Sequence, residues 1–437
     1  MLTRLDFRGL SRQEIAQRLP RPEVSGEGPT AAVREILAEV RAHGDQALLQ
    51  YTERFDGVKL DALRVPSEAI EEAWANTPAE LQDALVEAAR RIRAFHETQR
   101  PRPHAHTDAG ITVEAESRPV DRAGLYVPGG RASYPSTVLM TAIPAQVAGV
   151  AEIALCVPAS QDTGQVAQIT LAAAKVAGVS EIYALGGAQA VAAMAYGTES
   201  VPKVDVIAGP GNVYVAIAKQ QVANEVGIAA AFAGPSEVVV VADDSTPVDY
   251  AAIDVILQAE HGPDGLAWLI TWSESAGDAI DSAIDSFVAE APRRSDISAT
   301  LAKGGFLALV DTAEAAIEVA NLVAPEHLEL LCAAPEALVP LVKHAGAVFL
   351  GVLSPASIGD YVAGPSHVLP TNGTARFSSA LTVSDFTKDV HVITVSDQGF
   401  DAVAPHVVAL AAAEGLDAHA ESIRIRQRAR TNTSSGS

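Results

Sequence analysis

The chain has 437 residues, 48% of them hydrophobic, which at ~150 residues per domain is enough for about three domains and excludes a disordered or collagen-like polymer. Acidic residues outnumber basic ones 54 to 31, and the resulting net charge of −23 repels polyanions and argues against nucleic acid as a partner. The two cysteines, Cys156 and Cys332, lie outside any C-x-x-C pair, MLTRLDFRGLSRQEI has no apolar leader, and Pro144, Glu152 and Pro158 interrupt the most apolar stretch, so a cytoplasmic protein that crosses no membrane is expected.

The first hundred or so residues read as helices, with Val33, Ile36, Leu37 and Val40 at helical spacing. From Arg118 the texture changes to short β-rich runs, RAGLYV, EIALCV, EIYAL, VDVIAG and EVVVV, separated by Ala-rich stretches long enough to cross over a parallel sheet. That pattern predicts a doubly wound domain over roughly Arg118 to Val241. A second α/β series follows, with LAWLITW, FLALV, HLELL and AVFLG as strands and AEAAIEVANLV and EALVPLVKH among the helices. Leu353 to Phe386 is rich in Gly, Ser, Pro and Thr, and a loop of that length in a folded protein points to a functional role. A helical tail containing GLDAHAESIRIRQRAR ends the chain.

Two strand-to-helix junctions, ALGGAQ around Gly186 and Gly187 and IAGPGNVYV around Gly209 to Asn212, could bring backbone N–H groups to a phosphate, yet neither spells G-x-G-x-x-G and tight turns explain them equally. LYVPGGRASYPS offers Tyr126 as an aromatic platform and Arg131 as a cation. Gln258 and His261 sit three apart before the helix-ending Gly262 and Pro263 and could converge on a metal, although Q-x-x-H is a weak pattern. Glu326 and His327 are an adjacent acid and base, able to face one pocket only if the backbone bends at Pro325. Asp360 lies in the long loop, where a carboxylate can be a site residue or an Asx turn.

The strings GPGNVYV (209–215), AGPSEVVVV (233–241), QAEHGPDG (258–265), APEHLEL (324–330), GDYVAGPSHVLPT (359–371) and GLDAHAESIRIR (415–426) together resemble the histidinol dehydrogenase family, in family order over nearly the whole chain. The resemblance implies two incomplete Rossmann-like, doubly wound α/β sheet domains with helical N- and C-terminal extensions. It implies oxidation of L-histidinol to L-histidine through histidinal, the last step of histidine biosynthesis, with NAD as acceptor and one zinc ion per subunit. Carried onto matching positions, Gln258, His261, Asp360 and His419 would hold zinc; Ser236, Gln258, His261, His327, Asp360, Glu414 and His419 would meet the substrate; Tyr126, Gln189 and Asn212 would meet NAD; Glu326 and His327 would be the acid–base pair. A homodimer is implied in which Glu414 and His419 complete the neighbouring subunit's site. One departure stands out, Ala230 where the family commonly has Asp, close to Ser236.

The expected domain division is an N-terminal extension over 1–24, a discontinuous first α/β domain of 25–117 and 242–381, a second, NAD-side α/β domain over 118–241, and a helical tail over 382–437. Two rival functions remain. A relative acting on another small polyol or amino alcohol is disfavoured by Glu414 and His419, which suit an imidazole-bearing substrate, and a non-catalytic NAD- or zinc-sensing module is disfavoured by retention of all the matched positions.

Overall fold

The computed structural model describes residues 1–20, 28–129, 133–229, 234, 236–261 and 265–434, with the backbone alone at 261 and 432–434. Arg131, Ala230, Gly262 and Pro263 lie outside the described residues. In chain order the strands are β1 (Thr3–Asp6), β2 (His104–Asp108), β3 (Ile111–Pro119), β4 (Arg122–Tyr126), β5 (Glu152–Val157), β6 (Glu181–Ala184) and β7 (Val206–Ala208). They continue with β8 (Gly227–Ile228), β9 (Glu237–Ala242), β10 (Leu266–Thr271), β11 (Gly305–Leu309), β12 (His327–Leu330), β13 (Ala347–Leu350) and β14 (Thr387–Val395).

Two parallel sheets carry the first of two structural units, residues 1–100 with 120–386. One has six strands in the order β1-β11-β10-β9-β12-β13, the other five in the order β6-β5-β4-β7-β8. Strands β9 and β10 are buried along their whole length, which is why their sequences run as near-continuous Val, Leu, Ile and Ala rather than alternating. Helices cover both faces. On the six-stranded sheet, Val239, Trp268 and Leu328 pack with Ile15, Ile317 and Ala320 on one side, and Val238, Val240 and Leu269 with Val255, Ile280 and Ile297 on the other. Both sheets are thus doubly wound, as the sequence pattern predicts.

On the five-stranded sheet, Ala-rich helices approach closely because each contributes only a methyl group at the contact: all residues of Gly187–Tyr196 from Ala188 to Ala195 are buried. The helix Gly28–Tyr51 lies on this same face, and Ser67–Ala75 and Ala79–Glu97 contribute Ile70, Leu85 and Ile92 to the opposite core. The sequence reading groups 25–117 with 242–381, whereas these helices share their cores with the β4–β8 sheet.

Five of the strands, β1, β2, β3, β8 and β14, are not expected from the sequence. β1 lies inside the expected N-terminal extension and pairs parallel with β11 as an edge strand; its sequence TRLD is too short and too polar to register. The second unit, 101–119 with 387–437, is built on an antiparallel sheet in the order β14-β3-β2, so the tail opens with a strand before its two helices, Asp397–Ala413 and Asp417–Ser434. Its strands carry many exposed polar residues, which hides their β character. No described helix is long and apolar enough to cross a membrane.

Candidate active site

In the six-stranded sheet the strand order reverses between β9 and β12, since β10 and β11 extend one way from β9 and β12 lies on its other side. Open α/β sheets commonly take ligands beyond the carboxyl ends of strands at such a switch point. Here the polar cluster forms at the amino ends. Glu237 opens β9 and His327 opens β12, both buried. The His327 Nδ1 is 3.2 Å from the Glu237 carbonyl oxygen, which can only accept, so Nδ1 carries a proton and donates there. This directs Nε2 toward Asp360, 3.3 Å from its Oδ1.

Glu326 joins His327 because the chain bends ahead of β12. The helix Ala313–Val323 stops at Ala324, which adopts a left-handed conformation (φ 55°), and Pro325 follows. Glu326 therefore stands before the strand rather than in its alternation. Its Oε2 accepts the Glu237 backbone N–H at 3.0 Å and lies 3.7 Å from His327 Nδ1. Burial pushes the Glu326 carboxyl up to about 7, with the His327 charge pulling the other way. Burial, reinforced by the Glu326 charge, pushes Glu237 up to about 8. Burial works against protonation of His327, but the Glu326 and Asp360 carboxylates outweigh it and hold the imidazole proton up to about 9.

Asp360 lies on the short helix Ala356–Tyr361, whose first N–H, from Ala356, is held by Glu329 Oε1 at 3.0 Å. A Cβ at Gly359 would meet the Phe349 ring at 2.6 Å; without one, that ring fits here and stacks on His327 at 5.9 Å between centroids. Gln258 ends the helix Val248–Leu257 and begins a 3₁₀ turn to His261. Its side chain is buried, with Nε2 3.4 Å from Asp360 Oδ2. Ser236 precedes β9 on the same edge, where its carbonyl accepts the Leu266 N–H at 3.0 Å.

The five-stranded sheet reverses its order between β4 and β7, and its candidate residues gather at the opposite, carboxyl ends. Tyr126 ends β4, but at 4% exposure it is no open platform; its hydroxyl instead accepts the Gly187 N–H at 3.1 Å. Gln189 is buried with neither side-chain Oε1 nor Nε2 hydrogen-bonded, and a Cβ on Gly187 would stand 2.6 Å from Oε1. Gly209, at φ 110°, brings its turn against the Tyr126 carbonyl, where a Cβ would collide. Asn212 then caps the helix Val213–Val222, its Oδ1 accepting from Tyr214 N and Val215 N at 3.0 and 3.2 Å. A buried carboxamide with unmet hydrogen bonds, beside two tight turns and a capped helix N-terminus, fits a polar, anionic dinucleotide.

His367 bridges the two edges. Its Nδ1 is 3.1 Å from the Asp360 carbonyl, and its Nε2 is 2.9 Å from Thr137 Oγ1, in the first turn of the helix Pro135–Ala148 that follows β4. His367 stands within the GPSHVLPT motif, where its place in the sequence alone gives it no role. Glu237 is not expected from the sequence either, although a carboxylate heading the otherwise apolar EVVVV is a usable signal.

Among the described residues no three His, Cys, Asp or Glu side chains gather into a metal-holding group. The buried Gln258 carboxamide and the adjoining, partly exposed Asp360 carboxylate nevertheless offer two oxygen-bearing donors at one point, with position 261 a single 3₁₀ turn from Gln258, and this donor chemistry fits zinc. The His261 side chain lies outside the described residues. Glu414 caps the helix Asp397–Ala413 and His419 lies on Asp417–Ser434, both exposed and both in the second unit.

Comparison with known proteins agrees with the sequence motifs. The histidinol dehydrogenase family model matches residues 19–427. The histidinol dehydrogenase of Chlorobium chlorochromatii is 49% identical over 94% of this chain and 96% of its own length, and that of Parasynechococcus marenigrum 50% identical over 90% and 89%. The crystal structure of histidinol dehydrogenase from Elizabethkingia anophelis superposes with a TM-score of 0.93 at 35% identity, covering 98% of this chain and 99% of that one. With a buried acid–base pair at one sheet edge, a glycine-turn edge facing it through His367, and likeness along nearly its whole length, the chain belongs to the histidinol dehydrogenase family of histidine-biosynthetic oxidoreductases.

Proposed function

We propose that this chain oxidises L-histidinol to L-histidine through L-histidinal, using NAD and one zinc ion per subunit. The observation that carries the reading is the convergence of Glu326 and His327 beside Asp360 and Gln258 in a member of this family. Gln258, His261 and Asp360, with His419 of the partner subunit, would hold zinc in a homodimer, while Ser236 and Glu414 of the partner subunit would help to seat the substrate. Zinc supplies a Lewis-acidic template for the substrate's nitrogen atoms, and NAD, against Tyr126, Gln189 and Asn212, supplies hydride acceptance.

The chain's own residues move the protons. His327 Nε2 is the imidazole nitrogen left for the reaction, because Nδ1 is committed to the Glu237 carbonyl. In its neutral form, which gains population as pH rises toward 9, it takes the hydroxyl proton as the carbinol C–H bond gives up hydride, leaving the aldehyde. An aldehyde has no second hydride to give until water adds. Glu326, anchored through one oxygen by the Glu237 N–H, deprotonates that water with the other. His327, after releasing the first proton to solvent, takes a proton from the hydrate as the second hydride leaves. The product is the carboxylate, and two NADH form per histidinol.

Incubating the purified protein with limiting L-histidinol and excess NAD tests this. About two NADH per substrate, with L-histidine as product, is expected from four-electron oxidation of one carbon. One NADH with aldehyde as the end product would overturn it, as would equal turnover of other amino alcohols or polyols in a substrate panel. Mixing inactive His261→Ala and His419→Ala chains under subunit exchange should restore activity, since one composite site per heterodimer escapes both lesions. Proven exchange without recovery would place each site within one chain.

A further inference from the structure

Beneath the Gly209–Asn212 turn sits a lysine that none of the roles above uses. Lys219, on the helix Val213–Val222, is 2% exposed, and its Nζ donates to the Gly209 carbonyl oxygen. Among the described residues it has no carboxylate partner. The packed helix Gly187–Tyr196 carries no charged residue, and Arg34, Glu35, Glu39, Arg41 and His43 of Gly28–Tyr51 are exposed. Asp45 is engaged by Thr198 and Ser200, Glu225 lies against Arg41 and Lys203, and Asp205 accepts the N–H groups of Asp121 and Arg122. Arg122 at the start of β4 pairs with Glu152 and Glu181. The core around the helix is apolar, with Val215, Ala218, Val222 and Ile207. An ammonium buried without a counter-charge is costly, and burial pushes the Lys219 pKa down to about 7.

The Gly209–Asn212 turn above it opens a ten-residue helix, and on the same edge Gln189 is 1% exposed with both side-chain polar atoms unmet. We propose that Lys219 is the buried counter-cation of the dinucleotide's pyrophosphate, so that an anion seated on the Gly209–Asn212 turn supplies the charge the protein leaves out and binding draws a proton onto Lys219. This rests on the NAD reading above. Lys219 is a positioning residue, acting through the Gly209 carbonyl and through its field. Asp56 is a second titrating group on this edge: its Oδ2 is buried without a hydrogen bond, and burial pushes it up to about 6. An approaching anion raises both values, but the Asp56 response is centred at lower pH.

Calorimetric titration of the full-length, zinc-loaded protein with NADH, in buffers of different ionisation enthalpy from pH 6 to 9, separates these contributions. Wild type should take up protons on binding, most strongly between about pH 7 and 8, with NADH affinity falling about tenfold toward pH 9, the equivalent of one pKa unit. Lys219→Met should bind NADH about tenfold more weakly at pH 7, lose the uptake above pH 7 and keep its zinc content; Asp56→Asn should keep that uptake. Lys219→Arg, protonated throughout, should bind without the loss toward pH 9 and covers the case in which Lys219→Met fails to fold. Absence of proton uptake by wild type between pH 7 and 8.5, or unchanged uptake in Lys219→Met, overturns the role of Lys219 and leaves NAD binding standing. A wild type that does not bind NADH overturns the NAD reading and this proposal with it.

Discussion

The six-stranded and five-stranded sheets share one winding pattern, yet the chain uses them at opposite edges. In β-strand–helix crossovers the helices run antiparallel to the strands, so a sheet's amino edge faces helix C-termini and its carboxyl edge faces helix N-termini. Gln258 follows the end of Val248–Leu257, and Glu326 follows the end of Ala313–Val323, where partial negative charge gathers and the buried Glu237 and Glu326, with the half-buried Asp360, add more. The other edge collects the N-termini of Pro135–Ala148, Gly187–Tyr196 and Val213–Val222, with Lys219 beneath. One topology entered from two ends thus produces a half-site suited to a metal ion and a cationic amino alcohol, and another suited to an anionic dinucleotide, joined by His367.

The sharpest way to break this division is to remove the metal. Chelation should abolish turnover while leaving NADH affinity within about twofold, and added zinc should restore activity; full activity in a metal-free preparation would end the zinc assignment. Next in size, His327→Asn should lower turnover by about 10² to 10⁴, as expected for loss of a general base, with NADH binding unchanged. Its neighbour should behave differently. In single-turnover traces Glu326→Gln should slow oxidation of supplied histidinal far more than oxidation of histidinol to the aldehyde level, and equal slowing would refute the division of roles.

From the other edge, Gly209→Ala forces a Cβ into the Tyr126 carbonyl at a positive φ and should cost about 1–3 kcal/mol of stability in denaturant melts, with weaker NADH binding and normal zinc content. Loss of zinc from that variant would show that the edges are not separable. The smallest effect concerns the wall behind His327. Glu329 is buried, and burial, reinforced by Asp254, pushes its carboxyl up to about 9; burial also raises Asp254. The folded chain therefore holds protons that the unfolded chain releases, and stability contributed here falls as pH rises from the ordinary carboxyl range toward about 9. Glu329→Gln should flatten that dependence, read as a shift of a few degrees in melting temperature at alkaline pH; an unchanged slope would remove the pair from the account.

Much of this was legible in the residues alone. Unbroken Val and Ala runs alternating with crossover-length helices specify two parallel, doubly wound sheets, because a strand buried on both faces has no polar side to show. The Gly turns, the Glu326–His327 pair and the collinear motifs likewise stand in the sequence, and they identify the family. Polar edge strands such as β1 and β14 leave no such trace, since their hydrogen bonds come from partners far along the chain, β11 and β3. Nor does periodicity distinguish one end of a strand from the other. Only the folded chain decided that chemistry gathers at the amino edge of one sheet and the carboxyl edge of the other, that the bend at Ala324 and Pro325 turns two neighbouring side chains toward each other, and that Lys219 sits beneath a glycine turn with no carboxylate partner among the described residues. Each of these depends on which surfaces remain after the helices have packed, and packing is a property of the whole chain rather than of any window within it.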